Sequence, residues 1–512
     1  MSNYATRIFK ISALLYGLDD ILKQHKAQVR KQGQAKLTLS RSEHSVSRKN
    51  ISQSALRTLY RLRSAGFEAY LVGGCIRDLL LGQAPKDFDI STNARPEQIH
   101  RLFSNSRIIG RRFKIVHVLY GNEIIEVTTF RSGSNDNSIQ SRDGMLVRDN
   151  SYGTRIEEDS DRRDFTINAI YYDISDFSLI DFHGGLYDFN RGMIDIIGDP
   201  DKRYQEDPVR MIRAIRFKAK LGFKIAKRTE EPIARLSPLL LNISNARMFE
   251  EVNKLFLTGH GLQSFRELQH YKIFELLFPG QEEFISSEKY NSFIEYALAS
   301  SDQRYLQQKR NKPHFLYTVM LWPKIEKILL TLKNRNLSNP SPKPLDALIN
   351  AACEQALNEQ YSVTAIPFAI MSDIKRLITL VYRITDDSLE ASAIDEIAKQ
   401  GLFRAAFDII KLRAKFEPEL IPYVKFWQHY YDEAQEKLLR QQQARAESAA
   451  RREEKRRKRR EKPKRKQDKN TGRQEAVSKK ESTAGFDKDT SKERQERLAR
   501  ARAWRAAMNL DP

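Results

Sequence analysis

The chain carries the sequence LVGGCIRDLLLGQAPKDFDI at residues 71–90. Its apolar start predicts a short buried strand, and the pair Gly73 and Gly74 predicts a tight turn into a helix. Backbone N–H groups at such a turn can approach a chain of phosphates, because glycine has no Cβ in the way. Arg77 follows three residues later and can add a charge-assisted contact to the same phosphates. The stretch therefore predicts a phosphate-binding corner between a strand and a helix.

The same stretch ends on two carboxylates, Asp87 and Asp89. Residues two apart in a strand point to the same face, so these side chains are expected side by side. Neighbouring carboxylates repel unless a cation lies between them, and Mg²⁺ accepts such oxygen ligands while keeping positions for substrate phosphates. Two such ions can activate a 3′-hydroxyl and stabilise a leaving pyrophosphate. A solvated polar strand edge is the alternative interpretation.

Taken together, these residues resemble the first motif of the polymerase-β-type nucleotidyltransferase superfamily. Within it, they are most similar to the class that contains bacterial poly(A) polymerases and CCA-adding enzymes, and the resemblance runs from about His44 to Pro279. It implies an α+β fold, in which a nucleotidyltransferase head of mixed sheet and helices precedes all-α neck and body domains and a disordered basic tail. It also implies ATP as substrate and two Mg²⁺ ions as cofactors, with Mn²⁺ as the alternative ion.

Apolar periodicity and composition divide the chain into five segments. Residues 1–50 are polar and basic and predict an N-terminal extension of uncertain order. Short apolar runs mixed with helical patterns over 51–197 predict the catalytic head. Helical spacing dominates 198–280 and 281–432, for which the resemblance implies a neck that recognises the base and a body that binds RNA. Residues 433–512 are charged and are expected to form a largely disordered tail.

Within the head, short apolar runs predict strands. These runs are 69–72, 88–90, 115–120, 124–130 and 165–172. Glu126, in IIEVTTFR at residues 124–131, is a charged residue among apolar ones and needs a partner. The resemblance implies that Glu126 is the third metal-binding carboxylate, and a salt-bridged or exposed glutamate is the alternative.

The second motif is RRDFTINA at residues 162–169. It resembles the family segment that recognises the ribose and arranges the active site. Asp164 can accept a hydrogen bond from a 2′-hydroxyl or act as a catalytic acid, and Arg163 can contact phosphate. An Arg–Asp salt bridge that holds domains together is the structural alternative. The sequence leaves Glu126 and Asp164 as competing candidates for the third essential acid.

The third motif is EDPVRMIRAIRF at residues 206–217. Asp207 and Arg210 are three apart and can share a helix face, so one accepts and the other donates hydrogen bonds. Toward adenine, Asp207 would accept from N6 and Arg210 would donate to N1, which resembles the protein-templated base recognition of the family. Arg213 and Arg216 can bind the triphosphate or cap carbonyls. A capping pair on a basic helix is the alternative.

Other residues are assigned no chemistry. His44, His117 and His183 are isolated and lack metal-ligand spacing. Arg247 lies three and four residues before two glutamates, which indicates pairing within a helix.

Only two cysteines occur, Cys75 and Cys353, so a disulfide framework is excluded and a reducing cytoplasm is expected. No run approaches the ~18 apolar residues of a membrane span, so no integral membrane segment is expected.

The net charge of +22 is concentrated near the C-terminus. Residues 437–512 hold 26 Lys and Arg against 12 Asp and Glu, and a polyanionic partner is the physical complement. A solubilising extension is the alternative. The candidate RNA-binding residues of this tail are Arg451, Arg452, Lys455, Arg456, Arg457, Lys458, Arg459 and Arg460.

Three features favour the bacterial poly(A) polymerases over the CCA-adding enzymes. These are the sequence HSVSR at residues 44–48, the sequence GRRFKIVHV at residues 110–118, and a basic C-terminus suited to many unrelated RNAs. CCA addition and a catalytically silent RNA-binding scaffold stay as alternatives.

The expected partners are RNA 3′ ends of messenger RNAs, decay intermediates and small RNAs, together with RNA decay machinery or an RNA chaperone. A monomer is expected.

Overall fold

The computed structural model describes residues 16–110, 113–132, 138–140, 146–149, 151–337, 341–387, 389 and 391–461. The chain divides into two compact units between residues 437 and 438. No described helix has the length and apolar character that crossing a membrane requires.

Among the described residues, eight strands form one mixed sheet in the order β1-β10-β9-β2-β3-β6-β5-β4, and two further pairs are β11-β12 and β7-β8. The strands are β1 (Leu37–Leu39), β2 (Ala69–Val72), β3 (Phe88–Thr92), β4 (Ser106–Ile109), β5 (Ile115–Tyr120), β6 (Glu123–Thr129), β7 (Ser138–Gln140), β8 (Leu146–Asp149), β9 (Ile170–Asp173), β10 (Leu179–Asp181), β11 (Met193–Ile194) and β12 (Lys224–Ile225).

Helices surround the sheet and then account for most of the chain after β12. Those up to the neck are α1 (Asp19–Gln32), α2 (Gln53–Ser64), α3 (Gly74–Leu80), α4 (Pro96–Leu102), α5 (Ile156–Asp161), α6 (Gly185–Asn190), α7 (Pro200–Glu206), α8 (Val209–Leu221), α9 (Lys227–Glu230), α10 (Ile233–Leu236), α11 (Asn245–Phe256), α12 (Gly261–His270) and α13 (Phe274–Leu277). The later ones are α14 (Glu282–Ile285), α15 (Glu288–Leu306), α16 (Pro313–Leu337), α17 (Leu345–Tyr361), α18 (Phe368–Ile384), α19 (Ala391–Lys399), α20 (Phe403–Arg413) and α21 (Ile421–Glu461). The predicted α+β architecture, a mixed-sheet head followed by a helical region, is confirmed.

The centre of the sheet is apolar on both faces. All four residues of β2 are buried, and β3 runs antiparallel to β2 and parallel to β6. A strand covered on both faces reads as a continuous apolar run, which is why 69–72 was recognisable in the sequence. A polar side chain on one of these central strands is therefore unusual, and its burial needs a structural or functional reason.

Residues 19–50 are part of the head, which corrects the prediction of an N-terminal extension of uncertain order for that stretch. Strand β1 pairs with β10, and α1 buries Leu22 and Lys26. The Lys26 ammonium lies 2.5 Å from Asp188 Oδ2 and 3.3 Å from Asp195 Oδ2. A buried ammonium requires such partners. Both lie more than 150 residues away in sequence, so local patterning could not reveal them.

The first part of the predicted tail lies within a described helix. Helix α21 extends to Glu461, so residues 433–461 are helical. The stretch is rich in Ala, Gln, Glu, Arg and Lys, which favour helix even without a core to pack on. Residues 1–15 and 462–512 lie outside the described residues.

Candidate active site

Three of the predicted acids lie at adjoining positions at the centre of the sheet. Asp89 on β3 is paired in register with Glu126 on the parallel strand β6, and Asp87 lies just before β3. Paired strands are about 4.8 Å apart, so the Asp89 and Glu126 side chains share one face. Burial, together with the negative charges of Glu126 and Asp87, raises the pKa of Asp89 to about 6, although Arg163 and Arg213 act in the opposite direction. The arrangement concentrates negative charge on one spot.

The donor set suits a hard cation. Asp87 is exposed and the Glu126 side chain is 45% exposed, so added oxygen ligands can reach both. No group of three or more His, Cys, Asp and Glu side chains in the described chain is close enough to enclose an ion unaided. Mg²⁺ is usually held by one or two carboxylates, with water and substrate phosphates completing its shell. Carboxylate oxygens are ligands that Mg²⁺ accepts, and the assignment of Asp87, Asp89 and Glu126 to such an ion stays a prediction.

The turn after β2 brings the phosphate-binding corner to these acids. Gly73 has a φ of 82°, a conformation that favours glycine. A Cβ at Gly73 would lie 3.5 Å from Asp89 Oδ2 and 4.0 Å from Arg163 Nη1. A Cβ at Gly74 would lie 3.4 Å from Arg77 Nη2. A carboxylate and a guanidinium thus flank the Gly73 turn.

Arg77 is 4% exposed and is engaged with protein groups. Its Nη1 donates to Asn168 Oδ1 at 2.9 Å, and its Nε and Nη2 donate to Asp78 Oδ1 at 3.0 and 2.8 Å. These bonds tie α3 to the second motif. The structure therefore places Arg77 beside the Gly74 turn, with its donors directed to side chains of the head.

Asp164 links the head to the neck. Its Oδ2 accepts from Arg213 Nε and Nη2 at 2.8 and 2.5 Å, and its Oδ1 accepts from the Phe165 N–H at 2.8 Å and Asn168 Nδ2 at 3.2 Å. Burial opposes ionisation, but Arg213 outweighs it and lowers the pKa of Asp164 to about 2. All four acceptor positions of the carboxylate are used. Asp164 thus holds α8 against the head.

The two predicted base-reading residues have separate partners. Asp207 is clamped by Arg247, whose Nη1 and Nη2 donate to its two oxygens at 2.7 and 2.8 Å. Arg210 Nη1 donates to the Arg203 carbonyl at 2.6 Å and to Glu206 Oε2 at 3.1 Å. Both side chains are therefore held in fixed orientations before any ligand binds.

Arg216 lies farther along α8 and packs on an aromatic ring. Its guanidinium is 4.9 Å from the centroid of Phe217, and those of Arg77 and Arg213 are 5.2 and 5.6 Å from the same ring. Burial and the neighbouring Arg213 lower the pKa of Arg216 to about 10. Three guanidinium groups thus surround one ring, and those of Arg77 and Arg213 are paired with Asp78 and Asp164.

Sequence reasoning missed two site residues. His117 on β5 pairs in register with Glu126, and its Nε2 lies 3.2 Å from Glu126 Oε1. Arg247 meets Asp207 instead of the glutamates of its own helix. His117 reaches Glu126 because β5 pairs with β6, and the sequence does not specify which strands pair. No local sequence pattern indicated the contact between Arg247 and Asp207.

His44 and His183, which were assigned no chemistry, contact other protein groups. His44 Nε2 lies 2.9 Å from the Phe177 carbonyl, and His183 Nε2 lies 3.0 Å from Ser160 Oγ. Arg451 is exposed on α21. The side chains of the other tail candidates, at 452–460, and residues 111 and 112 of the GRRFKIVHV sequence lie outside the described residues.

Comparison with known proteins supports the sequence resemblance. Residues 69–195 match the family "Poly A polymerase head domain", 222–285 match "Probable RNA and SrmB- binding site of polymerase A", and 341–466 match "Polymerase A arginine-rich C-terminus". The poly(A) polymerase I of Salmonella typhi is 42% identical over 413 residues, which cover 77% of this chain and 86% of that protein. The chain belongs to the poly(A) polymerase family. The predicted family resemblance is therefore confirmed.

CCA-adding enzymes are more distant from this poly(A) polymerase family member. That of Lactobacillus helveticus is 41% identical over 212 residues, which cover 41% of this chain and 52% of that protein. A solved structure of the Bacillus stearothermophilus CCA-adding enzyme in complex with CTP is similar at a TM-score of 0.51 and 26% identity, covering 74% of this chain and 82% of that one. Similarity to the poly(A) polymerase continues over much more of the sequence.

Proposed function

We propose that this protein transfers AMP from ATP to RNA 3′ ends without a nucleic-acid template and releases pyrophosphate. The observation that carries the proposal is the register of Asp89 and Glu126 on adjacent parallel strands, beside the Gly73 turn. Membership of the poly(A) polymerase family, at 42% identity over 77% of the chain, supports adenylation over other nucleotidyl transfers.

In this proposal, each part of the head has its own task. Asp87, Asp89 and Glu126 hold the Mg²⁺ ions, which supply Lewis-acid stabilisation of charge developing on the phosphates. The Gly73 turn and Arg163 Nη1 receive the triphosphate, because Gly73 lies beside both Asp89 and Arg163 Nη1. Binding the nucleotide in this corner orients it for attack by the RNA 3′-hydroxyl.

Glu126 is proposed as the third acid in preference to Asp164. Glu126 is partly exposed and adjoins Asp89, whereas the four acceptor positions of Asp164 already serve Arg213, Phe165 and Asn168. Asp164 then acts by keeping α8 in place beside the bound nucleotide. Its position at the junction of head and neck supports this role.

The proposed adenine site lies on the neck. Asp207 accepts from N6 and Arg210 donates to N1, in the roles that their hydrogen-bonding types allow. A carboxylate oxygen can accept two hydrogen bonds, so Asp207 can serve Arg247 and the base together. Because Asp207 and Arg210 are each held by fixed partners, their hydrogen-bonding groups are oriented before the base binds. This supports selection of one base.

We also propose RNA 3′ ends of messenger RNAs, decay intermediates and small RNAs as substrates, in the cytoplasm and with the protein acting as a monomer. The match of residues 222–285 to an RNA-binding family segment supports RNA as the acceptor. RNA decay machinery or an RNA chaperone is the proposed protein partner.

Purified full-length protein with ATP, Mg²⁺ and an unstructured RNA primer tests the activity. Long heterogeneous tails are expected. A stop after two or three nucleotides would indicate CCA addition, and no extension would indicate an RNA-binding scaffold. Asp87→Ala should abolish extension and leave RNA binding intact. Glu97→Ala, which removes an exposed acid paired with Lys114, is the matched control and should extend normally.

A further inference from the structure

One buried carboxylate outside the motifs, that of Asp159, contacts residues next to the acids and the Gly73 turn. Asp159 lies on α5, and its side chain is 5% exposed. Its Oδ2 accepts from Ser91 Oγ at 2.9 Å, Arg163 Nη2 at 3.0 Å and Tyr171 Oη at 2.8 Å. Its Oδ1 accepts from the backbone N–H of Arg131 at 3.3 Å. A buried carboxylate with this many donors is held in one orientation.

Those donors come from the strands that build the site. Ser91 is two residues after Asp89 on β3, and Arg131 follows β6, which carries Glu126. Tyr171 on β9 is paired in register with Val72, the residue before Gly73. Asp159 therefore contacts β3, the backbone just after β6, and β9. Strands β3 and β6 carry or adjoin the acids, and β9 pairs with β2, which leads into the Gly73 turn.

The contacts of Asp159 also determine where Arg163 points. Arg163 Nη2 binds Asp159, while Arg163 Nε donates to Tyr171 Oη at 2.8 Å and the guanidinium lies 5.1 Å from the Tyr171 ring. Two of the three guanidinium nitrogens are thereby fixed. The third, Nη1, is directed to the Gly73 turn, 4.0 Å from the position of a Cβ there.

The charge state of Asp159 is consistent with this role. Burial alone would raise the pKa of Asp159, but Arg163 and the Tyr171 hydroxyl lower it below its usual value. The carboxylate is therefore ionised and forms a charge-assisted bond to Arg163, which is stronger than a neutral one.

We propose that Asp159 is a positioning residue for nucleotide binding: it fixes Arg163 so that Nη1 meets the triphosphate of ATP at the Gly73 turn. The inference rests on the proposed function of the site. Asp159 contacts no substrate, and its effect passes through Arg163 and Tyr171. A guanidinium orientated in advance binds phosphate without first losing conformational freedom.

Asp159→Asn in the full-length protein tests this directly. A charge-assisted bond to a buried group is lost, so the KM for ATP should rise about tenfold. The kcat should change by less than about threefold, because binding is lost alike from ground state and transition state. Tyr171→Phe removes the hydroxyl shared by Asp159 and Arg163 and should raise the KM for ATP in the same way.

Two controls separate positioning from stability. Ser91→Ala removes one donor to Asp159 but keeps the contacts of Asp159 with Arg163 and Tyr171, so the KM for ATP should rise less than in Asp159→Asn. Asp181→Asn alters another fully buried carboxylate, which accepts from the backbone N–H groups of His183, Gly185 and Leu186. It should lower the melting temperature without raising the KM for ATP.

A double variant supplies the decisive readout. Once Arg163→Lys has removed the positioned guanidinium, adding Asp159→Asn should raise the KM for ATP no further. Independent effects in the double variant, or an unchanged KM in Asp159→Asn, would overturn the proposal. If Asp159→Asn does not fold, an unchanged KM in Tyr171→Phe overturns it equally. A wild-type protein that extends no RNA would instead contradict the proposed function.

Discussion

At the residue scale, the Arg247 guanidinium and the Asp207 carboxylate form a two-point contact between segments 40 residues apart. The Asp207 side chain is 13% exposed and that of Arg247 is 28% exposed, so solvent screens the pair only in part. The planar guanidinium group of arginine donates two parallel hydrogen bonds to one carboxylate, a geometry that the ammonium group of lysine does not provide. Arg247 therefore fixes the plane in which Asp207 faces the proposed adenine site.

Arg247→Met should weaken the preference for ATP over CTP. Asp207 then loses the two-point contact with Arg247 that fixes its plane, so the ratio of kcat/KM values for ATP and CTP should fall about tenfold, as for one lost charge-assisted contact. Arg247→Lys keeps the charge without the planar guanidinium group and should give an intermediate ratio.

Glu250→Gln is the control for this prediction, because it alters the exposed helical neighbour with which the sequence pattern paired Arg247. Its nucleotide preference should match that of the wild type. A ratio that stays constant in Arg247→Met, or that falls equally in Glu250→Gln, would contradict the role of the Arg247–Asp207 contact in nucleotide preference.

At the element scale, helix α1 is joined to the head through one buried cation. Lys26→Met would leave Asp188 and Asp195 without their ammonium, and breaking a buried pair costs about 3–5 kcal/mol of unfolding free energy. Denaturant unfolding measures this loss. Lys23→Met, on the exposed face of the same helix, should change the unfolding free energy by less than about 0.5 kcal/mol.

The loss in Lys26→Met should also depend on pH. Burial raises the pKa of Asp188 to about 6 even beside Lys26, and removing the ammonium raises it further. A carboxyl group with a raised pKa favours the folded state at low pH and loses that contribution as pH rises. The variant should therefore be closer to the wild type near pH 5 than near pH 8. Equal stability of the Lys23 and Lys26 variants would contradict a structural role for α1.

The local sequence pattern predicted where the strands lie better than it predicted which strands pair with each other. Runs 69–72 and 115–120 coincide with β2 and β5, and 88–90 and 124–130 lie within about a residue or two of β3 and β6. The run 165–172 divides, because Thr166–Asn168 forms a 3-10 turn before β9 begins. An apolar run cannot distinguish a buried turn from a buried strand when both bury the same side chains.

Contacts between distant elements explain the rest of what the sequence could not predict. The acids Asp87 and Asp89 were visible from their spacing, but the approach of Glu126 and His117 depends on strands pairing across the sheet. The partners of Asp159 and Lys26 likewise lie on other elements. Such partners are chosen by tertiary packing, which overrides local preference.

At the scale of the whole molecule, positive charge is concentrated at the C-terminal end of the chain. Residues 437–512 carry a net charge of +14 of the total +22, so the charge of residues 1–436 is nearly balanced. On α21, Tyr431 Oη donates to Asp408 Oδ1 at 2.9 Å, which anchors the first part of this helix. A truncation after Asp432 keeps that contact and removes most of the excess charge.

Removing residues after Asp432 should weaken RNA binding and flatten its salt dependence while leaving the KM for ATP unchanged. Each phosphate neutralised on a single strand contributes about 0.7 to the slope of log K against log salt, so losing several tail contacts should reduce the slope by about 3 or more. Replacing the eight basic residues at 451–460 by Gln in the full-length chain should reproduce most of that change, because it removes charge at constant length. Binding to a primer of fixed sequence is measured across a salt series for all three proteins. Parallel slopes would mean that the RNA backbone is held by the neck and body instead of the tail.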